Sequence, residues 1–171
     1  MTSRRHGERG FTLIELSIVI FIIAIVARIA LPRLRSITGA ELTAAARRLS
    51  HTTRYLYDEA ALRGVVLELY FDLDNQEYWV GHTDEGTGVV TEDTDLLARR
   101  VRMPADVHIE DVFVPGLGTL AQGIAPTRFY PEGYADRSVI HLADEEGHAY
   151  TLRIDPVHGR AEVSEGYHEP E

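Results

Sequence analysis

The sequence predicts an α+β protein. A long N-terminal helix, with a transmembrane half and an amphipathic half, packs on an antiparallel β-rich head. Three observations predict it. Residues 11–31 read FTLIELSIVIFIIAIVARIAL, apolar at nearly every position. Residues 40–63 repeat apolar side chains at the helical period. After Gly64 the repeat changes to period two, which is that of a strand.

The bulk properties agree with one ordinary domain plus an appendage. The chain has 171 residues, of which 44% are hydrophobic, enough for a real core. It has no cysteine, so disulfides and thiolate zinc sites are excluded. The net charge of −10 argues against nucleic acid as a partner, because phosphates are repelled. That charge is unevenly placed. Arg4, Arg5 and Arg9 against Glu8 give residues 1–10 a net +2, which leaves −12 on the remainder. A basic tip before an acidic body suits a chain whose ends face different environments.

As a helix, the 21 residues of 11–31 span about 31 Å, close to the ~30 Å hydrocarbon thickness of a bilayer. A buried core helix is the bland alternative, but such a stretch directly behind a basic N-terminus is unusual in a soluble fold. A cleaved secretory signal needs small residues after the apolar run, and here Leu31-Pro32-Arg33-Leu34-Arg35 follows. A retained spanning helix is the better reading. The leading arginines favour a cytoplasmic N-terminus, although Arg33 and Arg35 on the far side weaken that bias.

Two charges interrupt the run. Arg28 lies about 25 Å along from Phe11, where a long side chain snorkels to the headgroups. Glu15 is short and one turn inside, at a cost of about 2–3 kcal/mol or more unless it finds a partner. Arg9 lies on the opposite side of a helix. A cut between Gly10 and Phe11 would supply the partner. Phe11 would then carry a free α-amino group, four residues before Glu15 and on the same helical face. Pairing within one chain or between neighbouring chains is open on this geometry. Between chains, the glutamate becomes a device that sets register.

Arg9-Gly10-Phe11-Thr12-Leu13-Ile14-Glu15-Leu16 closely resembles the prepilin processing motif of type IV pilins and type II secretion pseudopilins. The resemblance implies a pilin-like fold, cleavage after Gly10, N-methylation of Phe11 and a subunit-docking role for Glu15. Pro32 falls at position 22 after the cut, where many members have a proline, and it is expected to kink the helix. The resemblance covers about the first thirty residues. It implies a leader over 1–10, a transmembrane helix over 11–31, its amphipathic continuation over 32–63 and a periplasmic head over 64–171. The implied partners are a prepilin peptidase/methyltransferase, other pseudopilins (major and minor), an inner-membrane assembly platform and the lipid bilayer.

A softened joint is expected from Pro32 to Gly39, with Ser36 and Thr38 as weak helix formers. From Ala40, the residues Leu42, Ala45, Ala46, Leu49, Thr53, Leu56 and Ala60 share one face, and Arg47, His51, Arg54 and Asp58 share the other. Gly64 is the expected stop. In the head, Leu67, Leu69 and Phe71 alternate with Glu68, Tyr70 and Asp72, and Asp74-Asn75-Gln76 turns the chain into a return strand over 77–80. Further strands are expected over 107–114, 127–130, 138–143, 148–154 and 160–163, punctuated by Pro115-Gly116, Pro131-Glu132-Gly133, Glu146-Gly147 and His158-Gly159. The last strands read as consecutive hairpins. Residues 84–100 read as an acidic loop with a short helix near Leu96-Leu97-Ala98. This order, and the Phe129-Tyr130-Pro131-Glu132-Gly133 and Gly159-Arg160 signals, are similar to GspH/FimT-type minor pseudopilins.

No motif carries catalysis, and no cofactor or metal is expected. Asp72 to Glu77 lacks the ligand spread and central glycine of a calcium loop and reads as a hairpin turn. Gly116, Gly118 and Gly123 lack the Lys-Ser/Thr of a phosphate loop. The eight histidines are scattered and expected mostly at the surface, and Glu145-Glu146 sits in a solvated turn. The expected function is that of a minor pseudopilin of a type II secretion pseudopilus, assembled in the inner membrane. The alternatives are a minor pilin of a type IV pilus and, from another class, a membrane-tethered periplasmic binding domain.

Overall fold

The structure is a computed structural model and describes residues 13–36, 39–83, 90–92 and 100–170. The chain divides into two compact units, Met1–Thr38 and Gly39–Glu171. In the first, helix α1 runs over Leu13–Ser36. Pro32 lies within its range, and Gly39, at the start of the second unit, has a φ of 56°. Among the described residues no helix is long and apolar enough to cross a membrane; the expected span over 11–31 extends past them.

The second unit opens with helix α2, Ala40–Arg63. Its expected apolar face is the buried one: Leu42, Ala46, Leu49, Thr53, Leu56 and Ala60 are buried, and Ala45 packs at the margin. Each fully buried leucine contributes about 1.5–3 kcal/mol. The helix ends at Gly64, in the left-handed region, whose N–H returns to the Ala60 carbonyl at 2.9 Å.

Two antiparallel sheets receive this face. The first contains β1 (Leu67–Asp72), β2 (Glu77–Thr83), β3 (Val90–Glu92), β4 (Val101–Arg102), β7 (Ile124–Tyr130) and β8 (Tyr134–Ala135) in the order β3-β2-β1-β7-β8, with β4 also on β2. The second contains β5 (Val107–Val114), β6 (Gly118–Leu120), β9 (Val139–Asp144), β10 (Ala149–Ile154) and β11 (Ala161–Glu165) in the order β11-β10-β9-β5-β6. The hairpins β1–β2, β9–β10 and β10–β11 follow the expected turns. One core joins both sheets to α2, with Phe71, Phe129, Ile140, Leu142, Leu152 and Ile154 among its largest members.

Three expectations change. The stretch expected as an acidic loop over 84–100 contains β3, paired to β2 by His82↔Thr91; the short helix expected near Leu96 lies outside the described residues. Strands β4, β6 and β8, of two or three residues, are too short to impose a period on the sequence. The alternation of β1 implied one wet face, yet all six of its residues are buried. Leu67, Leu69 and Phe71 join the core. On the other face Tyr70 stacks on Trp79 with ring centroids 5.7 Å apart, and Tyr70 and Arg128 both hydrogen bond the Glu68 carboxylate.

Tyr57 ties α2 to the loops at the far ends of the sheets. Its hydroxyl lies 2.7 Å from the Gly133 carbonyl and 2.6 Å from that of Val157, so its one proton serves two acceptors. Gly159 passes directly over the ring. Its φ is +60°, and a Cβ built there would sit 2.1 Å from ring atoms of Tyr57. The Gly-Arg signal before the last strand is therefore a packing requirement. Gly159→Ala is expected to destabilise the head by about 2–5 kcal/mol, the combined cost of left-handed strain and overpacking. In a Tyr57→Gly background the same change is expected to cost less, because the ring and the Cβ that it would strike are both gone and only the left-handed strain is left. Chemical denaturation of the four proteins in the cycle measures both.

Candidate assembly interface

The chemistry of the N-terminal segment begins with its surface. Every described side chain from 13 to 26 is exposed, with Leu13 at 85% and Phe21 at 66%. A helix apolar all round has no stripe to lay on a single partner face; it is built for an environment that surrounds it. Glu15 is the acidic residue of the first described turn of α1. Ser17 donates back to the Leu13 carbonyl at 2.8 Å, so its hydroxyl is satisfied within the helix.

Of the residues singled out from sequence, Gly10 and Phe11 lie outside the described residues. Glu15 and Pro32 both lie on α1, 17 residues apart, too far to meet. The sequence-predicted site is thus one linear segment and not a cluster assembled by the fold.

The head offers turns where the sequence offered carboxylates. Asp72 accepts from the Asn75 side chain at 2.9 Å, the Asn75 N–H at 2.9 Å and the Asp74 N–H at 3.1 Å. The Asn75 side chain, above all, holds its carboxyl below the usual range. The Asp72–Glu77 stretch is a hairpin turn, as expected. Asp144, Glu146 and His148 bring their potential ligand atoms within 4.8 Å of one another. Both Asp144 oxygens are already engaged: Oδ1 accepts from the N–H groups of Glu146 and His148, and Oδ2 lies 2.8 Å from His148 Nδ1. Asp155 and His158 close the next turn in the same way, at 3.0 Å. A cleft of about 240 Å³ between α2 and β4 is lined by Ala44, Ala45, Tyr78, Val101 and Met103 with Arg48 at its edge. These lining groups hold no nucleophile beside a base.

The sequence reading missed one feature of the head. His141 is fully buried, against the expectation of surface histidines, with Nδ1 2.7 Å from Asp111 Oδ1. The only signal was a phase slip in the apolar pattern of 107–114, where Val107 and Ile109 are followed by Val112 and Val114.

The Asp144–His148 pair titrates in a defined direction. Its hydrogen bond to Asp144 raises the His148 pKa above 6.5. Burial works to raise the Asp144 pKa, but His148 and the backbone donors outweigh it and leave it lowered. The pair therefore supports the hairpin fully below about pH 6.5, an effect that fades as pH rises through the raised histidine value. On the acid side it is lost as pH falls through the lowered aspartate value. Asp144→Asn is expected to bring the His148 titration back toward 6.5, read by NMR of the imidazole.

Residues 5–30 match the family model described as the prokaryotic N-terminal methylation motif. No curated protein sequence matches the chain significantly. Two solved structures of the minor pseudopilin EpsH from the type II secretion system of Vibrio cholerae are similar to it. One is 12% identical, covers 77% of this chain and 99% of its own, and superposes with a TM-score of 0.61. The other is 12% identical, covers 73% and 97%, and has a TM-score of 0.56. At such identity the likeness is one of fold. The chain thus carries a prokaryotic N-terminal methylation motif over 5–30 and has a fold similar to that of the minor pseudopilin EpsH.

Proposed function

We propose that this chain is a minor pseudopilin of a type II secretion pseudopilus, a structural subunit that assembles in the inner membrane and helps drive protein export across the outer membrane. The observation that carries the reading is the combination of two parts. A methylation motif over 5–30 precedes a head that has the fold of a minor pseudopilin. Residues 1–10 are the leader, removed between Gly10 and Phe11, and Phe11 is N-methylated. Residues 11–31 anchor the subunit in the bilayer as a single span, with the head in the periplasm and the leader in the cytoplasm. Pro32 kinks the helix, and 32–63 continues it to the head.

In this reading Glu15 is the docking residue. An ionised carboxylate surrounded by lipid costs about 2–3.5 kcal/mol. The α-amino group of a neighbouring subunit's Phe11 relieves that cost only in the correct register. The surface of 13–26, apolar apart from Glu15 and Ser17, supports it, since lipid and neighbouring apolar helices are the two environments that cover such a surface. The partners are the prepilin peptidase/methyltransferase, the other major and minor pseudopilins and the inner-membrane assembly platform.

Intact mass of the membrane-extracted protein, expressed with and without a prepilin peptidase, tests the processing. Loss of residues 1–10 plus one methyl group, only with the peptidase, is expected. An unchanged mass under both conditions would sink the proposal and favour a tethered domain. Glu15→Leu is expected to be cut normally but to enter the filament roughly thirtyfold or more less efficiently, the fold-change that a lipid-burial cost of about 2–3.5 kcal/mol corresponds to. Crosslinking to neighbouring pseudopilins measures it, and wild-type levels would remove the docking role.

A further inference from the structure

The cleft between α2 and β4 has two parts of different chemistry. Its depth is apolar. Ala44 and Ala45 of α2 stand across from Val101 and Met103 around a space of about 240 Å³, with the Tyr78 ring alongside. Met103 is 8% exposed and Tyr78 2%, so both are core residues packed at fixed positions. The Tyr78 hydroxyl is engaged by Thr52, and burial holds it protonated above its ordinary range.

The mouth is positive. Arg48 on α2 and Arg102 on β4 stand there against one carboxylate, Glu41. Both arginines are exposed, and neither forms an ion pair among the described residues. Elsewhere nearby the arginines are paired, Arg100 with Glu77 and Arg54 with Asp58. The chain as a whole carries −10, so a net positive mouth is a local reversal of its charge.

Such a site selects an anion that carries an apolar tail. A peptide segment suits it poorly, because its amide groups would be buried against side chains that offer them no partner. A hydrocarbon chain has no amide to satisfy and gains with each methylene buried. Cavities of about 150 Å³ take a benzene-sized guest, so the cleft has room for a chain of several methylene groups. A guanidinium meets a carboxylate through two parallel hydrogen bonds, a geometry that an ammonium does not offer.

We propose that this cleft binds a single-chain aliphatic carboxylate, with its tail between Ala45 and Met103 and its headgroup on Arg48 and Arg102. The site lies wholly in the head. It stands apart from the pseudopilin reading, since nothing in it depends on leader removal or on Glu15.

Met1 and Met103 are the two methionines of the chain, so the Met103 methyl group is a reporter inside the cleft, and Met103→Leu identifies its signal. The full-length chain, held in phosphatidylcholine nanodiscs and labelled with ¹³C-methyl methionine, is titrated with octanoate. A saturable shift of the Met103 methyl is expected, with octanol binding roughly tenfold more weakly, the scale of one charge-assisted hydrogen bond. Arg48→Gln and Arg102→Gln are each expected to weaken octanoate severalfold and Glu41→Gln to strengthen it, and none of the three should alter octanol. Ala45→Leu fills the cleft and should abolish binding of both. A Met103 signal that does not move, or that drifts without saturating, would overturn the proposal. Equal affinity for octanol and octanoate would mean an adventitious additive only and would overturn it as well. So would a Met103 shift produced by phosphatidylglycerol in the nanodisc without octanoate, which assigns the cleft to the bilayer surface. Should Ala45→Leu not fold, the three charge variants, all at exposed positions, decide.

Discussion

The stripe of Leu42, Ala46, Leu49, Thr53, Leu56 and Ala60 on α2 is the constraint on which the head depends. Neither sheet has a complete core alone. One presents Leu67, Leu69, Phe71 and Phe129, the other Ile140, Leu142, Leu152 and Ile154, and the helix fills the space common to both. The choice of small residues at Ala46 and Ala60 lets the helix approach closely, and the three leucines fill the gaps between. Polar groups follow the same logic: Thr53 is buried and satisfies itself on the Ser50 carbonyl.

Once the helix occupies the inner faces, the outer faces decide how much of the remaining sheet is dry. Both sheets are covered there by polar rather than apolar packing. On the first, Glu68 is buried beneath the Arg128 guanidinium and the Tyr70–Trp79 stack, with Arg100 over the indole at 4.1 Å. On the second, the C-terminal segment meets Asp111 and His141. Among the described residues no buried side-chain polar atom is left without a partner, which is what makes charged groups tolerable beneath a cover.

The N-terminal helix obeys different physics. Its described side chains over 13–26 are exposed, and a single carboxylate, Glu15, stands among them. In the head, a charge is stabilised by groups the same chain folds around it. In the assembly proposed above, an apolar surround would make the charge of Glu15 expensive, and a neighbouring subunit's position would become energetically decisive.

The sequence by itself determined what depends on local order. The period of 40–63 identified the buried face of α2, Gly64 its end, and the alternations and Gly or Pro turns most strands, because such signals act within a few residues. The Arg9-Gly10-Phe11 motif was likewise legible as text. Only the tertiary structure decided what depends on distant neighbours. The burial of both faces of β1 and β9 draws on covers supplied by distant residues, Arg128, 60 positions from Glu68, and His168, 27 positions from His141. Short strands such as β4 and β8 exist because longer strands offer them an edge. The pairing of Asp111 with His141 follows from one inserted residue in β5, a slip that leaves only a faint trace in the apolar pattern because its meaning lies in the strand opposite.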